Sequence, residues 1–566
     1  MTSGQPDIPV LEGQAAEAVA HRGGHVQIIA AAGAGKTEVV SQRVAALLED
    51  GEPAESIVAF TFTDKAAAEL KERIRQRASA KLGSAAADHL GRLYVGTIHG
   101  YCFRLLQTFV PRFETYAPLD SNQLTNLLYR EQHRLDLKRL DRDGKLFRAI
   151  QAFRDSLDVV ENELISVETL PEGDFRDVVV AYYAVLDWYR FMSFGTQIVE
   201  AVRALQDSVV HAAATKELRH LIVDEYQDVN PAQERLVELL SKPTGTADLV
   251  VVGDDDQAIY QWRGSNVANI VTFKDRYAGV TQFELLVNRR SRPEIVKVAN
   301  AFAQSIPGRL AKEMGHHRDD AGPAVSVSIG HTDEQTEAEA IADLIERLHE
   351  DQGLPYGEVA ILVRGRTAYP RILDALEAWG IPVQPGGRSG LFEQREAAVF
   401  GATFAWLTDI DWAPGRFIRR EKVEVMALLD EYREAFGLGD DDVQAVWAYL
   451  TAWQAKTRQD PPDWDPSLVG EFYGLAELLL ISEWDIADPL QRTRLGTVAR
   501  FTAVIADYES VTRRSRQDPA NPSEQVGGAP GNSWFYRNFA LLLVNYATGN
   551  YDDFDGEEDV LGDGVT

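Results

Sequence analysis

Residues 26–48 read VQIIAAAGAGKTEVVSQRVAALL. Val26–Ala30 is a short apolar run, an Ala/Gly-rich turn follows it, and apolar residues then recur at helical spacing from Thr37 to Leu48. Strand, turn and helix in that order predict a parallel sheet covered by helices. The turn, Ala30-Ala31-Ala32-Gly33-Ala34-Gly35-Lys36-Thr37, also carries chemistry. Its small residues let backbone N–H groups close around phosphate oxygens, and the helix N-terminus adds partial positive charge. In such a loop Lys36 reaches the β/γ-phosphates and the Thr37 hydroxyl ligates Mg²⁺. The general pattern begins with Gly where Ala30 stands, so it is met with one relaxation.

Outward from this loop, Ser56–Phe62 reads as a second strand and Asp64–Leu82 as a helix, while residues 110–215 turn helical and Gly-poor. The β pattern returns at Leu221–Val223 and Leu249–Val252, so a helical insertion interrupts an α/β domain. Leu221–Val223 ends in Asp224-Glu225. Of two such carboxylates, one can hold Mg²⁺ while its neighbour orients and deprotonates a water for in-line attack on a γ-phosphate. A second α/β pattern follows, with strands expected at Val325–Ile329, Val359–Val363 and Ile381–Val383 and helices at Glu334–Glu350 and Pro370–Trp379. Residues 405–545 are mainly helical and Trp-rich, with loops at Asp460–Pro466 and Asp518–Ser533.

The chain has 566 residues, with 57 Lys and Arg against 87 Asp and Glu, a net charge of −30. Taken alone, that balance argues against a partner held by bulk electrostatics, such as nucleic acid. The acidity is uneven, however. Residues 1–300 hold 34 basic and 42 acidic residues, and Lys71, Arg73, Arg75 and Arg77 make a local basic run. The last stretch, Tyr551–Thr566, carries seven acids and no base. One cysteine, Cys102, excludes an internal disulfide and a cysteine-based metal centre, and reads as a packing residue. No run approaches the ~18 apolar residues of a membrane span. The N-terminal MTSGQPDIPV has neither a basic nor an apolar leader region. A cytoplasmic protein without a membrane partner is expected.

Several further segments appear in order: Gln14, the phosphate loop, Thr61-Phe62-Thr63-Asp64-Lys65-Ala66, Gly96-Thr97-Ile98-His99-Gly100 and Asp224-Glu225-Tyr226-Gln227-Asp228. Gly253-Asp254-Asp255-Asp256-Gln257-Ala258-Ile259-Tyr260-Gln261-Trp262-Arg263-Gly264 and Asn288-Arg289-Arg290-Ser291 complete the series. From about residue 8 to about residue 400 this series resembles the UvrD/Rep/PcrA-like superfamily 1 DNA helicases. The resemblance implies ATP-driven 3′→5′ movement on single-stranded DNA, or on DNA with a 3′ single-stranded tail, with ATP and Mg²⁺ as cofactors. It implies that Gln14 reads the adenine edge and that Ala32, Gly33, Ala34, Gly35, Lys36 and Thr37 hold the phosphates. Asp224 then serves the metal with Thr37, and Glu225 is the general base. Gln257 and Arg290 contact the γ-phosphate, so Lys36, Glu225, Gln257 and Arg290 form the catalytic set. Thr61, Phe62, Thr97, His99, Tyr260 and Trp262 fall at DNA-contact positions. Aromatic faces suit that task, since bases stack on them for about 1–3 kcal/mol each with little sequence preference; read alone, Phe62 and Tyr260 fit core packing better.

The sequence departs from the family pattern in three places. Arg289 stands where an aromatic residue often stacks on adenine, a task a guanidinium plane can also perform. Glu38, beside the nucleotide after Lys36-Thr37, replaces a common Arg and brings no positive charge. Gly386-Gly387 and Leu391-Phe392-Glu393 resemble the segment that closes the first half of the second motor domain, but the family's later Thr-x-His-x-x-Lys-Gly segment and second phosphate-facing arginine are absent from the sequence. An arginine of that kind contributes roughly 10³–10⁵ in rate in related phosphoryl transfers. The expectation is thus a chain lacking the last motor segments, which binds nucleotide and DNA but hydrolyses ATP poorly unless a continuation or a second polypeptide supplies them. The expected fold class is α/β: a RecA-like P-loop NTPase domain at 1–108 and 216–292 with a helical insertion at 109–215, a partial second RecA-like domain at 293–404, and a helical inserted domain with acidic tail at 405–566.

Overall fold

The computed structural model describes residues 8–83, 90–261, 264–320, 322–365, 368–383, 391–415, 418–459, 467–517, 521, 524–526, 533–550 and 565. Trp262, Gly386-Gly387, the loop expected at Asp460–Pro466, most of that at Asp518–Ser533 and the acidic tail apart from Val565 lie outside the described residues. Two compact units divide the chain. The first comprises Met1–Pro118, Arg139–Gly144 and Gln151–Val327, and the second Leu119–Lys138, Lys145–Ile150 and Ser328–Thr566.

The first unit is built on a parallel sheet of β1 (Val26–Ala30), β2 (Ile57–Thr61), β3 (Tyr94–Thr97), β4 (His220–Val223), β5 (Asp248–Gly253) and β6 (Thr281–Leu285). The order is β3-β2-β4-β5-β1-β6, with every neighbouring pair parallel. Four of these strands fall where the apolar runs place them; β3 and β6 are additional. β1 and β2 are buried along their whole length, as strands covered on both faces must be. Alternate side chains divide between the two faces. Ile29, Phe60, Val223 and Val251 join one core with α4 (Ile98–Phe109), α5 (Phe194–Ala204) and α6 (Pro231–Leu240). Ile28, Ala59, Ile222 and Val252 join the other with α2 (Lys36–Glu49) and α3 (Asp64–Leu82).

Helix starts are fixed by side chains that accept from free backbone N–H groups. Thr63 caps α3 through the Ala66 amide, Thr97 caps α4 through Gly100, and Asn230 with Gln233 forms a capping box on α6. Cys102 is fully buried on α4, and burial pushes its thiol far above the ordinary range, which leaves it a packing residue. After β6 the chain continues through β7 (Val287–Asn288), α7 (Pro293–Ala303) and β8 (Gly315–His316), and β8 pairs in parallel with β7.

In the second unit α8 (Glu334–Gln352) and α9 (Tyr369–Ala378) pack through Ala338, Ala342, Ile345, Ala375 and Leu376. α10 (Arg395–Leu407) runs across residue 404 and is buried on almost every side, with Phe400 and Phe404 meeting Phe472, Trp453, Phe501 and Phe539. A helix apolar all round belongs in a core, and α10 is the centre of this one.

The strands expected at Val325–Ile329, Val359–Val363 and Ile381–Val383 do not form. Their residues have no ladder among the described residues; only an isolated bridge joins Val383 to Val565. Val327, Ile329 and Leu362 are 79%, 86% and 94% exposed. Alternating Val and Ile measure fitness for a pleated surface, not the presence of a neighbour, and a strand without a partner leaves its N–H and C=O groups to water. We therefore expect Phe404→Ala to cost the helical core about 3–5 kcal/mol, read by hydrogen exchange on α10. Leu362→Ser should stay within about 0.5 kcal/mol of wild type in the same measurement.

Candidate functional site

The loop after β1 turns back on itself, with the Ala34 amide donating to the Ala31 carbonyl at 3.1 Å. Gly33 has φ +66°, and a Cβ there would stand 3.0 Å from both Asn288 Oδ1 and the Arg290 Cβ. Only glycine satisfies both the backbone angle and that approach. The Arg289 amide donates to the Gly33 carbonyl at 2.9 Å, and Asn288 Oδ1 accepts from the amides of Arg290 and Ser291 at 2.9 and 2.7 Å. The Asn288–Ser291 turn is thereby seated against the loop. Arg289 and Arg290 point outward, and neither guanidinium has a hydrogen-bond partner among the described residues.

Two strand ends supply the acids. Lys36, the first residue of α2, places Nζ 2.6 Å from Glu225 Oε2. Glu225 follows β4 in left-handed backbone, φ 50°, which is unusual for a long side chain. Asp224, immediately before it, accepts from the Glu225 amide at 3.0 Å. Loss of surrounding water and the Glu225 charge push Asp224 up to about 6, against the pull of Lys36. Asp228 is pushed up to about 7 by burial and Glu225, with Lys36 and Gln227 opposing, and its Oδ1 is buried without a hydrogen-bond partner among the described residues.

Gln227 extends the chain of contacts to β5. Its Nε2 donates to Glu225 Oε2 at 2.9 Å, and its Oε1 accepts from the Asp254 amide at 3.0 Å. A Cβ on Gly253 would lie 2.5 Å from Gln227 Oε1, so the glycine at the end of β5 is what admits this bridge. Asp254 Oδ2 in turn accepts from Gln257 Nε2 at 2.6 Å. The structure thus brings together Lys36, Glu225 and Gln257 of the expected set through two side chains, Gln227 and Asp254, to which the sequence reading gave no role. The motif-like runs around them were legible; which members face inward was not.

Gln14, exposed at the start of helix α1 (Gln14–Ala20), accepts at Oε1 from the Glu284 amide at 2.5 Å, which leaves its Nε2 as the outward donor. Glu38 is committed elsewhere: Arg77 binds its two carboxylate oxygens at 2.8 and 2.9 Å and Gln42 adds a third bond at 2.7 Å. Arg77 therefore leaves the basic run, and Arg75 pairs with Glu72 on its own helix.

A second group lies along the C-terminal ends of β2 and β3. Phe62 and Tyr260 stack with ring centroids 5.3 Å apart and planes 27° from parallel, both half-buried. Thr61 donates to the Thr63 carbonyl, and Thr97 caps α4 two residues before His99, whose ring lies 5.2 Å from that of Phe194. Trp262 is outside the described residues.

Chemically, these groups offer a loop of backbone amides closed by a lysine, a carboxylate beside that lysine, and two exposed guanidiniums on the turn seated against the same loop. The donor set also suits Mg²⁺: Asp224 is a carboxylate with an elevated pKa that a nearby dication would lower, and the Thr37 hydroxyl has no hydrogen-bond partner among the described residues.

A parallel sheet with such a loop after one strand and paired acids after another defines a RecA-like nucleoside-triphosphatase domain. Residues 11–278 match the UvrD/REP helicase N-terminal domain and residues 283–399 the UvrD-like helicase C-terminal domain. The chain belongs to the UvrD/Rep family of superfamily 1 helicases. It is 31% identical over 412 residues to the ATP-dependent DNA helicase UvrD1 of Mycobacterium tuberculosis, covering 68% of this chain and 51% of that protein. With DNA helicase II of Escherichia coli it shares 30% identity over 393 residues, 67% of this chain and 52% of that protein. With PcrA of Bacillus subtilis it shares 29% over 395 residues, 67% and 51%. The chain spans about half the length of the curated relatives it matches.

Asp228 offers a test of the electrostatics. An acid whose pKa is raised on folding holds its proton in the folded state where the unfolded chain has lost it, so stability falls as pH rises through the window from about 4 to about 7. Asp228→Asn removes that loss. Thermal unfolding should show the variant about 1–3 kcal/mol more stable than wild type at pH 8 and no more stable at pH 4; equal gains at both pH values would contradict the assignment.

Proposed function

We propose that this chain is an ATP-dependent DNA translocase of the UvrD type, moving 3′→5′ on single-stranded DNA or on DNA with a 3′ single-stranded tail. The observation that carries the reading is the Lys36–Glu225 ion pair, linked through Gln227 and Asp254 to Gln257. In this arrangement the lysine that would hold the β/γ-phosphates occupies the carboxylate that would take a proton from water. Phosphate oxygens compete for Lys36, so a bound triphosphate frees Glu225 Oε2 to accept that proton as the water attacks the γ-phosphate. Lys36 then neutralises phosphate charge, and the outward Arg290 and the amide of Gln257 are the groups available to the γ-phosphate oxygens as charge develops. Thr37 and Asp224 would hold Mg²⁺, which when bound offsets negative charge on the phosphates. Gln14 Nε2 is placed to donate to a base edge, Arg289 to lie against its face, and backbone amides of Ala32, Gly33, Ala34, Gly35 and Glu38 to line the phosphates.

The stacked Phe62 and Tyr260, with Thr61, Thr97 and His99 at or just after neighbouring strand ends, make the proposed DNA face, and Trp262, two residues beyond Tyr260 in the sequence, is proposed as a further DNA contact. Sequence-tolerant stacking suits a translocating protein, and Tyr260 lies three residues from Gln257, so nucleotide state and DNA contact share one turn. The location proposed is cytoplasmic.

A second reading is favoured by Val325–Ile329, which is exposed, and Val359–Val363, which is half-buried apart from Ala360 and Leu362; neither forms a ladder among the described residues. If the second motor domain needs strands from another polypeptide, this chain is an ATP- and DNA-binding regulatory subunit whose turnover depends on that partner. Hydrolysis of ATP with Mg²⁺ and single-stranded DNA separates the two readings. As a motor, the chain shows DNA-stimulated turnover that Glu225→Gln lowers by about 10²–10⁴-fold with nucleotide and DNA binding retained. A chain that binds both ligands without stimulated turnover is the regulatory subunit, and one that binds neither contradicts both readings. Unwinding of 3′-tailed but not 5′-tailed duplexes tests the polarity.

A further inference from the structure

The turn after β5 is acidic, and its charges are met from one direction. Asp254, Asp255 and Asp256 all contact the ammonium of Lys312, whose side chain is 2% exposed; Nζ lies 2.7 Å from Asp254 Oδ1 and 3.2 Å from Asp256 Oδ2 and also bonds Asp255. Arg309 binds both oxygens of Asp256 at 2.7 and 2.6 Å, and the Leu310 amide donates to Asp255 at 2.7 Å. Burial works against the Lys312 charge, but its hydrogen bonds to Asp254 and Asp255 more than offset this and hold its pKa above the ordinary lysine range.

Such a buried cluster is costly to leave half-made, so it fixes the geometry of whatever it joins. It joins the Gln257 turn to the segment between α7 and β8. That segment also touches the other phosphate-facing turn: the Gly315 amide donates to the Leu286 carbonyl at 2.8 Å and the His317 amide to the Asn288 carbonyl at 2.9 Å. Residues 309–317 therefore tie the turn that carries Gln257 to the turn that carries Arg290. Lys312 and Gln257 share a single carboxylate, Asp254, with the lysine on Oδ1 and the glutamine on Oδ2.

We propose that Lys312 is a positioning residue that, through Asp254, sets the Gln257 amide for the γ-phosphate and keeps it in register with Arg290. The proposal rests on the ATP-binding reading above and assigns Lys312 no contact with nucleotide. It makes discrimination between tri- and diphosphate depend on a lysine buried away from the phosphate loop.

The test is equilibrium binding of fluorescent AMP-PNP and ADP with Mg²⁺ to the full chain, which requires no turnover. Because Lys312→Met alone leaves Asp254 and Asp255 without their cation, while Asp256 keeps Arg309, the charge-balanced Lys312→Met/Asp255→Asn is measured beside it, with Gln257→Ala and the triple variant. Wild type is expected to prefer AMP-PNP, and Lys312→Met/Asp255→Asn to lose about tenfold of that preference while ADP affinity stays within about twofold. The triple variant should lose no more than Gln257→Ala alone, since both changes act on one contact. An unchanged preference in Lys312→Met/Asp255→Asn, multiplying losses in the triple variant, or equal falls in ADP and AMP-PNP affinity would each overturn the proposal. A wild-type chain that binds nucleotide without preference would overturn it as well. Failure of wild type to bind either nucleotide would instead refute the ATP-binding reading, and the proposal with it.

Discussion

The 2.6 Å contact between Lys36 and Glu225 is the constraint around which the first unit is arranged. Its partners are 189 residues apart and stand at the ends of strands that are not neighbours, with β5 between β4 and β1. A parallel sheet permits this because all its carboxyl ends open on one edge, where ligands of such folds gather. The intervening strand is then the natural place for a group that senses both sides, and β5 delivers Asp254 and, three residues later, Gln257. Gly253 and Gly33 mark two close approaches at the site, each made by a side chain from the end of a neighbouring strand that a Cβ would crowd. Partial exposure of Glu225 keeps the ion pair weak enough to exchange, as the proposed displacement by phosphate requires.

Net charge is a poor guide to this molecule. The overall −30 is dominated by residues beyond 300, whereas the first unit, with 32 basic and 42 acidic residues, is closer to balance. Its balance is also structural: Glu38 takes Arg77, and the triple aspartate after β5 takes Lys312 and Arg309. Both pairings neutralise acids near the proposed phosphate site without presenting a cation to it. Besides Lys36 itself, the exposed cations beside the loop are Arg289 and Arg290, on the turn seated against it.

Much of this was readable in the amino-acid sequence because parallel strands buried on both faces are continuous apolar runs, and the loop after β1 has a composition few other structures need. β1, β2, β4 and β5 follow from that signal. β3 escaped it because Tyr94–Thr97 is half-exposed and contains Gly96, and β6 because Thr281–Leu285 mixes Gln and Glu into an edge strand. The same reasoning misled at Val325–Ile329 and Val359–Val363, where β-forming residues find no strand to pair with among the described residues. The stacking of Phe62 on Tyr260 and the inward turn of Gln227 depend on contacts about 200 and 30 residues apart in sequence, respectively, which no local pattern encodes.

The claim that Lys36 is shared between Glu225 and phosphate is tested most directly by the affinity of a non-hydrolysable ATP analogue with Mg²⁺ for wild type, Glu225→Gln and Lys36→Met, measured by isothermal titration calorimetry. Removing the competing charge in Glu225→Gln should tighten binding by about two- to fivefold, and Lys36→Met should weaken it well below wild type. Equal or weaker binding by Glu225→Gln, or binding by Lys36→Met as tight as wild type, would contradict the account.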